Sequence, residues 1–181
     1  MLEVGCGDGR SFELYPPEVS SVLAVEPDRI ARDRAAERAK DAAAPVEVVD
    51  GDAETLPAED GTFDAVVSIW LLCSVPDPAA ALREMGRVLK PGGELRVYEH
   101  VRSPHLVFQW VQRAVDALFW TRALGGCETT RDTAAEIAAA GFESVDLQRG
   151  FHSSSFLTIT SAPYVLGTAR AGTPPSALGS P

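Results

Sequence analysis

At 181 residues, with 45% hydrophobic and 23% charged side chains, the chain is long enough for one domain with a substantial core and lacks the composition of a disordered segment. Its formal net charge of −10 argues against the clustered Lys and Arg surface that displaces counterions from a duplex, so no nucleic-acid partner is expected. No apolar run approaches the roughly 20 residues that span a bilayer and no leader pattern opens the chain, so the expectation is a soluble, cytoplasmic protein.

Leu2-Glu3-Val4 reads as the tail of a buried strand, and Gly5-Cys6-Gly7-Asp8-Gly9 as a glycine-rich loop. Glycine there lets the loop take positive φ and lets its backbone approach a ligand, although the same pattern also serves purely local turns. Arg10 to Tyr15 is too short for more than a turn or so of helix before Pro16-Pro17. Val22 to Val25 is a continuous apolar run, the mark of a strand buried on both faces, and it closes on Glu26-Pro27. Asp28 can cap a helix whose apolar face is Ile30, Ala31, Ala35 and Ala39, and Val46 to Val49 is a third strand ending in Asp50-Gly51-Asp52.

Phe63 to Trp70 is the fourth strand. Asp77-Pro78 opens a helix with a stripe at Ala81, Leu82, Met85, Val88 and Leu89, which Pro91-Gly92-Gly93 stops before a fifth strand from Glu94 to His100. Alternating strands and helices imply a parallel sheet with right-handed crossovers. A broad apolar helical face then runs from Leu106 to Phe119, with Trp110 among its aromatics; core packing is the first reading and a cover over the substrate the second. Thr129 to Asp132 caps a helix that Gly141 closes, and two last strands, Glu143 to Gln148 and Phe156 to Ala169, are expected to pair antiparallel across a Ser-rich loop. The domain is placed at 1–169 and a disordered tail at 170–181.

In an open parallel sheet, ligands sit at the C-terminal ends of the strands, near the point where strand order reverses. The glycine loop, Glu26 and Asp52 all fall on such ends. A carboxylate at Glu26 suits the two hydroxyls of a ribose, and Asp52 suits an adenine amino group. Arg10 stands where a dinucleotide fingerprint has its third glycine, which disfavours a nicotinamide-dependent oxidoreductase. Cys6, Cys73 and Cys127 show neither Cys-x-x-Cys spacing nor a nearby His pair, so neither a zinc site nor a disulfide framework is expected.

Residues 2–9, Glu26-Pro27, Gly51 to Pro57, Phe63 to Ser68 and Arg87 to Gly93 resemble, in order, the motifs of class I S-adenosylmethionine-dependent methyltransferases. The resemblance implies an α/β fold: a Rossmann-like, seven-stranded, mostly parallel sheet with an antiparallel last strand. It implies S-adenosylmethionine as cofactor, held by Glu3, Gly5, Cys6, Gly7, Gly9, Glu26, Pro27, Asp52, Ala53 and Ser68. Phe12 to Pro17, Leu72 to Val75, Glu99 to Val101 and Gly126 to Arg131 are similar to a narrower group, the thiol S-methyltransferases of microsomal membranes. Against that family the chain is N-terminally truncated, beginning inside the first strand, so a degenerate, non-catalytic member is the alternative.

Methyl transfer from a sulfonium is an in-line displacement, in which the protein positions the reactants and excludes water. A thiol acceptor needs little base, whereas a hydroxyl needs one. His100 is the candidate base, and Trp70, Cys73, Glu99 and Trp110 are the expected walls of a pocket for a small, apolar acceptor. Cys73 and Cys127 are both candidates for the pocket wall, but free cysteines are more often small core residues.

Overall fold

Leu2, Glu3 and Val4, all buried, form strand β1 at the middle of the sheet. It runs parallel to β2 (Val22–Val25) on one side and β4 (Phe63–Ile69) on the other. The computed structural model describes residues 1–123, 125–152 and 156–172. With β3 (Val46–Val49), β5 (Leu89–His100), β6 (Ser144–Phe151) and β7 (Pro163–Arg170), the strands form one seven-stranded sheet in the order β3-β2-β1-β4-β5-β7-β6. Only β7 runs against its neighbours, pairing antiparallel with both β5 and β6. The reversal of strand order lies between β1 and β4, which places the ligand-binding crevice at the ends of those two strands.

Local sequence explains the crossovers. Helix α1 (Arg29–Ala39) is capped by Asp28, which accepts from Ala31 N at 2.8 Å, and α2 (Pro78–Val88) by Asp77, which accepts from Ala80 N at 2.9 Å with Pro78 in the first turn. Ala81, Leu82, Met85 and Val88 of α2 pack with Leu2, Val4, Val66 and Leu95 in the largest core cluster. Each of the larger of these side chains, Leu, Met or Val, contributes about 1.5–3 kcal/mol when fully buried. Arg10–Leu14 is a short 3-10 turn, as its length dictates.

Three expectations need correction. Strand β5 starts at Leu89, directly off α2, and runs through Pro91-Gly92-Gly93; the register against β4 shifts between Phe63 and Ala65 to absorb the extra residues. The last segment is no single strand: Phe156–Ser161 is a 3-10 turn and only Pro163–Arg170 is β7, so the sheet ends one residue past the expected boundary. The apolar helix is α3 (Leu106–Val115), continued by a π-helical turn at Asp116–Trp120 and a short α4 (Thr121–Ala123), and its apolar face is not core. Leu106, Val107, Trp110, Leu118 and Phe119 are all more than half exposed.

A polar residue holds α3 down. Gln112, wholly buried, accepts from Ser103 N at 2.9 Å and donates to the carbonyls of Thr129 and Thr160, both at 2.9 Å. α5 (Thr133–Ala139) follows, capped by Asp132 and ended by Gly141 at φ +86°. Among the described residues no helix is long and apolar enough to cross a membrane. The expected tail lies, from residue 173, outside the described residues.

Candidate active site

The glycine loop leaves β1 and turns back under backbone control. Gly5 and Cys6 donate to Val25 O at 2.8 and 3.2 Å, stitching the loop to the end of β2. Gly5 has φ +68°, a conformation that favours glycine, and a Cβ there would lie 2.5 Å from Leu71 Cδ1 and push that side chain aside. Beneath it, Glu3 is 2% exposed and accepts from Ser11 Oγ at 2.5 Å and Tyr15 Oη at 2.8 Å. Burial pushes its carboxyl up and the two hydroxyls pull it back. Glu3 therefore ties the 3-10 turn to β1 and shapes the loop from below.

Glu26 sits at the end of β2, where Oε2 accepts from Gly7 N at 2.8 Å and Oε1 from Asp28 N at 3.0 Å. These two bonds fix the carboxylate, and each oxygen can accept once more from a ribose hydroxyl. At the end of β3, Asp52 Oδ1 accepts from Glu54 N at 2.8 Å, a local turn that presents the exposed carboxylate at the rim. Gly5, Glu26, Pro27, Asp52 and Ala53 line one cleft of about 290 Å³, closed on the far side by Trp70, Leu71, Ser74, Val75 and Pro76. Carboxylate acceptors at two strand ends, a side-chain-free backbone at the third and an apolar wall opposite make a cleft suited to a ligand that carries hydroxyl or amino donors on an apolar body. Cys6, Gly7, Gly9 and Ser68 do not line this cleft; Gly7 acts on it through its bond to Glu26.

Ser68 and Glu99 are both wholly buried, which removes them from ligand contact. Ser68 Oγ donates to Glu99 Oε1 at 2.7 Å, and Glu99 also accepts from Leu71 N and Leu72 N, both at 3.1 Å. Desolvation pushes the Glu99 carboxyl up to about 7 against those hydrogen bonds. The expected substrate-pocket residue Glu99 is thus a clamp on the segment after β4. That segment carries Trp70, the non-glycine residue with positive φ (+53°) among those described. A tryptophan in this region stores strain, a feature that concentrates at functional sites.

Trp70 faces a second cavity of about 420 Å³, whose walls include Cys73, Ser74, Tyr98, His100, Trp120, Cys127, His152 and Tyr164. Its ring stacks on His100 at 5.3 Å and 12° and leans on Tyr98 at 5.4 Å. Tyr164 packs edge-on to Tyr98 at 5.1 Å and lies over Gly150, where a Cβ would fall 2.2 Å from the Tyr164 ring. Cys127 Sγ lies 3.3 Å from Cys73 Sγ and 3.6 Å from His100 Nδ1. The hydrogen-bonded contact between the two thiols pulls the pKa of Cys127 down and pushes that of Cys73 up.

The structure therefore brings together Trp70, Cys73 and His100 as expected, but not Trp110. That residue is 68% exposed on the outer face of α3, with the Arg113 guanidinium 5.3 Å from its ring centre. Tyr98, Trp120, His152 and Tyr164 were missed as walls. Tyr98 and Tyr164 carried a readable signal, since strand alternation places Tyr98 two residues from His100, while Trp120 reaches the cavity only through the π-helical turn.

Comparison with known proteins agrees with this geometry. Residues 2–97 match the family described as "Methyltransferase domain". Thiol S-methyltransferase TMT1B of Homo sapiens is 32% identical over 178 residues, spanning 93% of this chain and 69% of that protein. A possible histamine N-methyltransferase, S-adenosylmethionine-dependent, from Thermotoga maritima superposes with TM-score 0.68 at 25% identity, over 93% of this chain and 81% of its own. A Methanosarcina mazei S-adenosylmethionine-dependent methyltransferase shares the fold with TM-score 0.75 at 24% identity, over 95% and 92% of the two chains. The chain belongs to the S-adenosylmethionine-dependent methyltransferases, and S-adenosylmethionine is its cofactor.

Proposed function

We propose that the protein methylates a small, apolar acceptor, a thiol above other classes, with the cofactor in the Glu26 cleft and the acceptor in the Trp70–His100 cavity. The observation that carries this reading is that Trp70 and Ser74 line both cavities, so the two spaces meet along one short segment. When bound, S-adenosylmethionine supplies an electrophilic methyl on its sulfonium. Glu26 holds the ribose, Asp52 is placed for the adenine amino group, and Leu71, Val75 and Pro76 exclude water from the face opposite. The aromatic walls, Trp70, Tyr98, Trp120 and Tyr164, favour an apolar acceptor body.

His100 lines the acceptor cavity with its ring stacked on Trp70, and it accepts the acceptor's proton where the acceptor is not already ionised. A thiol, partly thiolate near neutral pH, draws least on that help. The likeness to TMT1B, named a thiol S-methyltransferase, favours sulfur over oxygen or nitrogen. Three free cysteines suit the reducing cytoplasm.

Calorimetric titration with S-adenosylmethionine tests the cofactor half, and a screen of alkyl and aryl thiols against matched phenols and amines tests the acceptor half. Glu26→Ala should weaken cofactor binding about 100-fold, the equivalent of losing charge-assisted hydrogen bonds worth about 1.5–3 kcal/mol each. Turnover of phenols or amines well above that of thiols would overturn the choice of acceptor.

A further inference from the structure

We propose that Cys73, His100 and Cys127 form a binding site for a thiophilic divalent cation of the zinc class, with a fourth coordination position open to the cavity beside Trp70. The three donor atoms come from separate parts of the chain: the loop after β4, the last residue of β5 and the loop before α5. All lie within 4.8 Å of one another. Their separations are 3.3 Å between the sulfurs, and 3.6 and 3.9 Å from His100 Nδ1 to Cys127 and Cys73. Zinc bonds of about 2.3 Å to sulfur and 2.0–2.1 Å to nitrogen, set at tetrahedral angles, require about 3.8 Å between sulfurs and about 3.5 Å from sulfur to nitrogen. A shift of a few tenths of an ångström satisfies all three edges.

The surroundings hold the donors in place before any ion arrives. Glu128 N donates to Cys73 O at 2.8 Å, joining the two cysteine loops, and Thr133 Oγ1 donates to His100 O at 3.2 Å. Trp120, only 7% exposed, packs with Cys73 and Cys127, and its buried indole N–H lies beside the Cys127 sulfur and helps lower its pKa. A buried donor beside metal-bound thiolates is the kind of outer contact that tunes such sites. On binding, the two thiols release their protons to solvent, and two thiolates with a neutral imidazole cancel the charge of a dication. A neutral cluster is what a buried position tolerates. Three protein donors with a cavity on the remaining side is the pattern of a site that admits an outside ligand.

This inference concerns the same cavity as the proposed function, and with the ion bound His100 serves as a ligand and not as a base; its test requires neither cofactor nor turnover. The full chain, reduced and stripped with a chelator, is titrated with Co2+ and followed by absorption. One cobalt per chain is expected, with a thiolate-to-cobalt band in the near ultraviolet and the strong visible bands of a tetrahedral ion, all displaced by Zn2+. Cys127→Ser and His100→Gln, each checked for folding by circular dichroism, should weaken Zn2+ binding about 100-fold or more. Cys6→Ser, altering a thiol outside the cluster, should bind as the parent does. An alkyl thiol added to the cobalt form should shift the near-ultraviolet band. Absence of that band from the parent, its survival in folded Cys127→Ser, or its loss in Cys6→Ser would overturn the site; no response to the thiol would overturn the open position.

Discussion

Ser68 Oγ donates to Glu99 Oε1 at 2.7 Å across the buried junction of β4 and β5, and the same carboxylate accepts from the backbone of Leu71 and Leu72. One side chain thus fixes the path of the segment that divides the two cavities. Glu99→Gln offers one acceptor oxygen where two are used and places an amide donor against a backbone N–H. It should lower stability to urea by about 2–3 kcal/mol, the cost of leaving a buried partner of a charged group unpaired.

Gly5→Ala should damage cofactor binding more than folding. The methyl group would meet Leu71 at 2.5 Å, and the φ of +68° adds strain of about 1–2 kcal/mol. Leu71 lines the cleft, so a shift of its side chain alters the wall that faces the adenosine. Calorimetry should show at least about tenfold weaker S-adenosylmethionine binding, with a thermal midpoint lowered by no more than this strain implies.

Arg131 donates to the carbonyls of Leu72 and Val75, both at 2.7 Å, from a side chain that is 13% exposed. It anchors the segment bearing Cys73 to the loop bearing Cys127. Arg131→Ala should cost about 2 kcal/mol in denaturant unfolding and, by loosening that loop, raise KM for the acceptor more than for the cofactor. Equal changes in the two KM values would contradict this placement.

Trp70→Gly separates strain from function. Glycine adopts φ +53° freely, and the tryptophan it replaces is half exposed, so the thermal midpoint should barely change. The acceptor KM should rise about tenfold, corresponding to roughly 1.4 kcal/mol of lost aromatic contact.

Acid stability should report Asp8. Its carboxyl is held below the usual range first by the hydrogen bond from Arg38, at 2.7 Å, and then by Arg10. A depressed carboxyl contributes stability that is complete above its unfolded pKa of about 3.9 and disappears as pH falls through the lower folded value. Arg38→Gln should therefore lower the thermal midpoint at pH 6, with the difference from the parent shrinking steadily below about pH 4.

The alternation of β2, α1, β3, β4 and α2 was legible because buried strands and capped helices declare themselves over a few neighbouring residues. The positions of Gly5, Glu26 and Asp52 at strand ends were legible too, and the fold gathers them along one cleft. Glu99 and Ser68 were located correctly at strand ends but misread in role, since sequence does not show which face of the sheet a polar residue meets. The helix α3 followed helical periodicity, yet periodicity cannot reveal that a single glutamine docks it. Cys127 and Cys73, 54 positions apart, become neighbours only through the fold. An expectation of no metal drawn from motif spacing is blind to such a pair.

Strand β7, the last in sequence among the described strands, lies between β5 and β6 in the sheet. Until it arrives, β6 stands at the edge with no described strand beside it, and β5 keeps one side unpaired. β6 therefore cannot join the sheet until β7 has been made. A chain cut before Pro163 would lose the order of two strands rather than one, exposing the edge of β5 to pairing with other molecules.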